Sequence, residues 1–245
     1  MRKSYRHIPG IFILTLAVVF VLLYHDMFSQ KMGGKNTSGG VRTIYLIRHG
    51  EYDHQDNRDE FTGKGLIPLG IAQARLVAER LHSIPVKMTA LISSTMTRAV
   101  ETAKVINGDF PDLELIQSPL IHECLPSTWR EDVMKGENPD DIIECERNLD
   151  SAFVLYFIPT PDENDRNDII VCHGNVIRYF VTKVLKVDSK AWLGMTISNC
   201  SITVVNIFKD GSMKLVSFND AGHIPLNMRT ETGGKNEIKQ LKLPE

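Results

Sequence analysis

The sequence predicts an α/β fold of three layers, a mostly parallel sheet with helices on both sides. Two observations carry this. Short apolar runs rich in β-branched residues alternate with segments of helical periodicity, which is the pattern of repeated strand–helix units. Two of those runs also end alike, "IYLIRHG" (44–50) and "IIVCHGNV" (169–176), each passing from a buried strand to His-Gly without an intervening turn sequence.

The strands expected are "TIYLI" (43–47), "TALISS" (89–94), "LELIQ" (113–117), "DIIVC" (168–172) and "SITVVNIF" (201–208). Between the first two, Pro68 suits a first helical turn, and Leu69, Ala72, Leu76, Val77 and Leu81 form one stripe to about Ser83. A second helix is expected from about Thr97 to Ile106. A third, near Pro139 to Phe157, sets Ile142, Cys145, Leu149, Ala152, Phe153 and Tyr156 at helical spacing. The fourth follows Gly174, with Val176, Ile177, Phe180, Val181, Val184 and Leu185 on a wide apolar face. "KDGS" (209–212) reads as a hairpin turn that leaves an antiparallel edge.

The chain divides into an N-terminal membrane anchor (1–28), a flexible linker (29–40), one catalytic domain (41–230) and a polar tail (231–245). The uncharged run from Ile11 to Tyr24 stands at the short end of the roughly 17–25 residues needed to span hydrocarbon. It also fits the apolar core of a secretory signal, but no small-residue cleavage pattern follows, so a retained anchor is favoured. Arg2, Lys3 and Arg6 would keep the N-terminus cytosolic on a secretory route, and Asn36-Thr37-Ser38 would then be a glycan acceptor. "KMGGKNTSGG" (31–40) has too little apolar surface to order itself.

Of the 245 residues 42% are hydrophobic and the formal charge is −2, enough for one sizeable core and without the basic footprint of a nucleic-acid binder. The four cysteines, Cys124, Cys145, Cys172 and Cys200, are widely spaced, form no CxxC and read as reduced, buried thiols.

Ligands of open parallel sheets bind beyond the carboxyl ends of the strands, so His49 and His173 should face one crevice. Gly50 and Gly174 are expected to let the backbone turn sharply there. "SSTMTRAVET" (93–102) begins at another strand end and puts Arg98 at the same mouth. Two arginine forks, Arg48 and Arg98, with two imidazoles suit the oxygens of a phosphoryl group. A neutral imidazole can attack phosphorus without a metal. His49 is therefore the expected nucleophile, Arg48, Arg98 and a protonated His173 the charge stabilisers, and Glu123 in "IHECLPS" the proton donor, its pKa raised by desolvation.

Through "RHGE" (48–51), "SSTMTRAVET" and "CHGNVIRY" (172–179) the chain resembles the histidine phosphatase, or phosphoglycerate mutase-like, superfamily from about Val41 to Met228. "HGNVIRYFV", "AWLGMTISNCSIT" and "NDAGHIP" are similar to its branch of mitochondrial protein Ser/Thr phosphatases. The resemblance implies transient phosphorylation of His49, a phosphate pocket of Arg48, Gly50, Arg98 and His173, Glu123 as proton donor, and no cofactor or metal. It further implies phosphoprotein substrates, an outer mitochondrial membrane location and a homodimer. The chain departs from that branch in "HECLP" where the branch has "REGAP", in Ile67 at a helix-capping threonine, and in lacking a Trp- and Asp-containing multimerisation motif within 25–41. The insertion that encloses substrate in true mutases is also missing.

Competing readings exist. Cys172 and Arg178 satisfy the Cys-x5-Arg spacing of thiolate phosphatases. His49, Glu51, Asp53 and His54 invite a metal reading, although an acidic loop after a strand is usually just solvated. A tethered phosphate-binding adaptor with little turnover is the non-enzymatic alternative, and a small-molecule phosphomonoesterase the other.

Overall fold

The computed structural model describes residues 39–231; the expected anchor, and all but Glu231 of the expected tail, lie outside them. Among the described residues no helix is long and apolar enough to cross a membrane.

Six strands form one sheet: β1 (Arg42–Arg48), β2 (Ala90–Ser94), β3 (Leu115–Ser118), β4 (Arg166–Cys172), β5 (Ile202–Ile207) and β6 (Met213–Asp220), in the order β3-β2-β4-β1-β5-β6. The first four run parallel, whereas β5 lies antiparallel to both β1 and β6. The hairpin expected at 209–212 joins β5 to β6.

Four helices cover the sheet: α1 (Pro68–His82), α2 (Thr97–Asn107), α3 (Pro139–Tyr156) and α4 (Gly174–Leu185). Alternation along the strands sorts two cores. Tyr45, Ile47, Leu91, Ile169 and Val171 face α1 and α2, while Ile44, Leu46, Ile92, Ile170 and Cys172 face α3 and α4. α4 is buried on nearly all sides, as its wide apolar face requires.

Helix starts follow from local chemistry. α3 is capped by Asn138, whose side chain accepts from the Asp140 N–H at 3.1 Å. α1 starts at Pro68 after Ile67, which offers no capping side chain. A single helical turn at Glu131–Met134 precedes α3 and carries no apolar stripe that would have announced it.

Three expectations change. β3 begins at Leu115 rather than 113, because Phe110 and Leu113 close a turn held by the Asn107 side-chain amide, which donates to both carbonyls at 2.9 Å. Gly40, assigned to the linker, is buried against Asn164, whose backbone leaves no room for a Cβ there, and accepts a hydrogen bond from Thr160 Oγ1 at 3.2 Å.

The third concerns the cysteines. Cys124 and Cys145 are disulfide-bonded, with Cα atoms 5.7 Å apart, while Cys172 and Cys200 are free and buried. The all-reduced reading fails because the loop bearing Glu123 lies against α3, a proximity no spacing rule reveals. The bridge closes a separation of 21 residues. Loop-closure entropy for such a length contributes on the order of 3 kcal/mol.

Candidate active site

Strand register assembles the site. Arg48 stands opposite Cys172 where β1 pairs with β4, and Ser93 opposite Val171 where β2 pairs with β4. The carboxyl ends of three neighbouring strands therefore place His49, His173 and the Ser94–Arg98 segment side by side.

His49 leaves β1 with its N–H donated to the Cys172 carbonyl at 3.0 Å. Its ring Nδ1 lies 2.8 Å from the Gly50 carbonyl. A neutral imidazole carries one ring proton, so Nδ1–H donates to that carbonyl and Nε2 keeps its lone pair. Arg98 Nε donates to this Nε2 at 3.3 Å, and the His173 ring centroid is 5.1 Å from that of His49. Arg98 is held further by the Glu60 carboxylate, by Met96 Sδ at 3.4 Å and by the Tyr52 ring 4.7 Å beneath its guanidinium.

Arg48 donates to the Ile197 carbonyl at 2.7 Å, and His173 Nε2 shares a hydrogen bond with Ser94 Oγ at 2.8 Å. Arg48 Nε and His173 Nδ1 are buried without a hydrogen-bond partner among the described residues. Buried polar atoms of this kind are costly while unpaired, and the Arg48 Nε–H is a donor that an anion would meet. Glu123 accepts from the Asn175 N–H, in the first turn of α4, at 3.2 Å.

The electrostatics follow from burial. It holds His49 well below the usual imidazole range, with His173, Arg48 and Arg98 adding repulsion. It pushes the Glu123 carboxyl up against the opposing pull of Arg48, Arg98 and Arg178. Burial, and after it Arg98, His122 and Arg48, lower the His173 pKa well below its ordinary value, which favours the neutral ring when no anion is bound. Gly50 is held to glycine by packing. It has no positive φ; its need for glycine is the Gly70 carbonyl, 2.6 Å from where a Cβ would stand.

Of the six residues singled out in the sequence, His49 touches Arg98 and His173, Gly50 follows His49 and binds its ring, and Arg48 and Arg98 both act on the Glu123 carboxyl. The Histidine phosphatase superfamily (branch 1) profile matches residues 44–149 and 160–221, spanning every one of them. The chain belongs to the histidine phosphatase superfamily. It is 36% identical over 208 residues to the Caenorhabditis elegans protein named serine/threonine-protein phosphatase Pgam5, mitochondrial, covering 81% of this chain and 69% of that one. To the human protein of the same name it is 33% identical over 194 residues, covering 76% and 64%. The chain thus spans about two thirds of the length of these relatives. A phosphoglycerate mutase structure from Plasmodium falciparum superposes with a TM-score of 0.55 at 28% identity, covering 76% of this chain and 95% of that one.

This histidine phosphatase also uses residues that sequence reasoning passed over. Ser94 meets His173; Thr102 Oγ1 accepts from the Gly50 N–H at 3.0 Å and donates to the Arg98 carbonyl at 2.7 Å, tying the two motifs together. Asn199 Nδ2 donates to the His49 carbonyl at 2.9 Å, and Gln73 Oε1 accepts from the Glu51 N–H at 2.9 Å. The signal available for Ser94 and Thr102 was their place within "SSTMTRAVET".

The Cys-x5-Arg alternative does not form a thiolate cradle here. Cys172 is buried in the core, which pushes its thiol pKa up, and Gly174–Arg178 belong to α4. Arg178 donates to the Gly174 and Met195 carbonyls at 3.1 and 3.0 Å and lies over Trp192. Cys172→Ser is accordingly expected to leave kcat for phosphate ester hydrolysis nearly unchanged, whereas a cysteine nucleophile would lose it entirely. In the loop offered for a metal, His54 instead pairs with Glu51 at 2.7 Å.

Proposed function

We propose that this chain hydrolyses phosphoserine and phosphothreonine in proteins through a phosphohistidine on His49. One observation carries the reading: His49 Nε2, stripped of its proton by the Nδ1–Gly50 hydrogen bond, presents its lone pair between Arg98 and His173.

The steps follow from that geometry. Nε2 attacks phosphorus while Arg48, Arg98 and His173 hold the equatorial oxygens. The P–O bond to the seryl or threonyl oxygen breaks, and Glu123 gives that oxygen its proton. Water then attacks the phosphohistidine, the carboxylate of Glu123 takes the water's proton, and the P–N bond breaks to restore neutral His49 and release orthophosphate. A dianionic phosphoryl group among these cations favours the protonated state of His173 that the protein alone does not.

The protein substrate class is supported by the relatives named serine/threonine-protein phosphatases. Their names also carry the word mitochondrial, and together with the apolar run in 1–28 this supports a chain anchored in a mitochondrial membrane, with the segment before Gly39 as tether; a dimeric catalytic domain is part of the same reading. Val154, Leu155 and Ile158, exposed on and just after α3, are side chains such a dimer contact could cover.

The test is turnover of phosphoseryl and phosphothreonyl peptides beside small phosphate monoesters, with the phosphoenzyme trapped during the reaction. An acid-labile, alkali-stable phosphoenzyme and higher kcat/KM for peptides are expected. Stoichiometric phosphate binding without turnover would establish the tethered adaptor instead. Preference for small esters would establish a phosphomonoesterase.

A further inference from the structure

The backbone around His49 is held by side chains from far along the chain, and two of them meet a third. Asn199 Nδ2 donates to the His49 carbonyl at 2.9 Å, and Gln73 Oε1 accepts from the Glu51 N–H at 2.9 Å. These amides bracket Gly50 from both sides. Each points its other end at Thr230: the Thr230 hydroxyl donates to Asn199 Oδ1 at 2.9 Å and accepts from Gln73 Nε2 at 3.0 Å. Gln73 Nε2 also donates to the Met228 carbonyl at 2.6 Å, and the Asn199 N–H donates to the Thr230 carbonyl at 2.9 Å. All three side chains are buried.

We infer that Thr230 is a positioning residue for the His49 nucleophile, acting through Asn199 and Gln73. A carboxamide has one accepting and one donating end of nearly equal shape, and only its partners decide which way it faces. The Thr230 hydroxyl serves as donor to one amide and acceptor to the other, so it links the two and completes the pairing that holds them, with the Met228 carbonyl as a second acceptor for Gln73. With Oδ1 turned to Thr230, Asn199 can only offer N–H to the His49 carbonyl. With Nε2 turned to Thr230, Gln73 can only offer oxygen to the Glu51 N–H. Reversing either amide would set like against like beside the reacting imidazole and leave a buried group unpaired.

The consequence lies in the placement of His49. The ring is fixed by its own bond to the Gly50 carbonyl, and that peptide lies between the two anchored ones. A nucleophile displaced by about 1 Å loses on the order of 10²-fold in rate. Thr230 touches neither the crevice arginines nor the imidazole, so its effect belongs to kcat and not to substrate binding.

This rests on the phosphohistidine reading, and the experiment separates the two. Wild type, Thr230→Val, Thr230→Ser and His49→Ala of the full chain are assayed on one phosphopeptide, with kcat normalised to the folded fraction measured by stoichiometric orthophosphate binding, so that unfolded molecules are not counted. Thr230→Val keeps the shape and loses the hydroxyl; its kcat is expected to fall about 10- to 100-fold with KM moving much less, and Thr230→Ser to recover most of the loss. Unchanged kcat in Thr230→Val, a serine variant as impaired as the valine one, or a loss confined to KM would each overturn the inference while His49→Ala remained inactive. A fully active His49→Ala would instead remove the phosphohistidine reading itself. Should Thr230→Val not fold, Thr230→Ala makes the same comparison under the same normalisation.

Discussion

Replacing His49 with alanine is expected to reduce phosphopeptide turnover by about 10⁴- to 10⁶-fold, the range seen when a nucleophile is removed from a site that otherwise remains intact. The geometry argues for the upper part of that range. Two neighbours are poorly suited to take over the attack: Cys172 is buried with its thiol pKa raised, and the His173 ring is buried with its Nε2 engaged by Ser94. The remaining cations would still bind phosphate, because Arg98 is held by Glu60, Met96 and Tyr52 as well as by His49. Loss of turnover with near-normal orthophosphate affinity is therefore the expected pair of results. His49→Ala with wild-type kcat, or a phosphoenzyme that still forms, would sink the assignment.

The pH behaviour of this step has a definite sign. Burial and three neighbouring cationic or imidazole groups keep His49 well below the ordinary histidine range. Its Nε2 lone pair stays available at pH values where a free imidazole is already half protonated. Acidification from neutrality to the usual histidine pKa should consequently leave the attack step undiminished.

The sheet and the strand-end histidines were legible because both depend on local pattern. "TIYLI" and "DIIVC" are buried on both faces, and their register alone brings His49 beside His173. Arg98 was legible because it follows a strand end in the first turn of a helix. Gln73 and Asn199 were not: a glutamine in a helix and an asparagine in a loop give no sign of which carbonyl they will face. Thr230 was read as the last residue of the catalytic domain, with nothing in its polar neighbours to mark it as structural; it is buried, and Glu231, assigned to the tail, bridges to Ser198. The Cys124–Cys145 pairing depends on α3 crossing the loop of Glu123, which is tertiary information. The close approach of Gly70 on α1 to Gly50 is likewise tertiary information.

Glu123→Gln separates bond breaking from phosphate binding more sharply than any arginine variant. The carboxyl is pushed up by burial, with Arg48, Arg98 and Arg178 and the Asn175 N–H pulling the other way. Protonated, it can give its proton to the departing seryl oxygen; ionised, it cannot. Wild-type turnover should therefore fall as pH rises through that raised pKa, and the alkaline limb should be absent from the glutamine variant. At neutral pH the loss of a general acid is expected to cost about 10²- to 10⁴-fold in kcat on phosphoseryl peptides. On p-nitrophenyl phosphate the defect should shrink, because a nitrophenolate is much less basic than an alkoxide and leaves without a proton. Stability should move oppositely. A carboxyl whose folded pKa is raised adds stability fully below its unfolded pKa and loses it as pH rises through the folded one, so a neutral amide removes that alkaline penalty. A Glu123→Gln protein that melts higher at alkaline pH while hydrolysing phosphopeptides slowly would fit a proton donor; equal defects on both substrates would mean that the side chain only shapes the pocket.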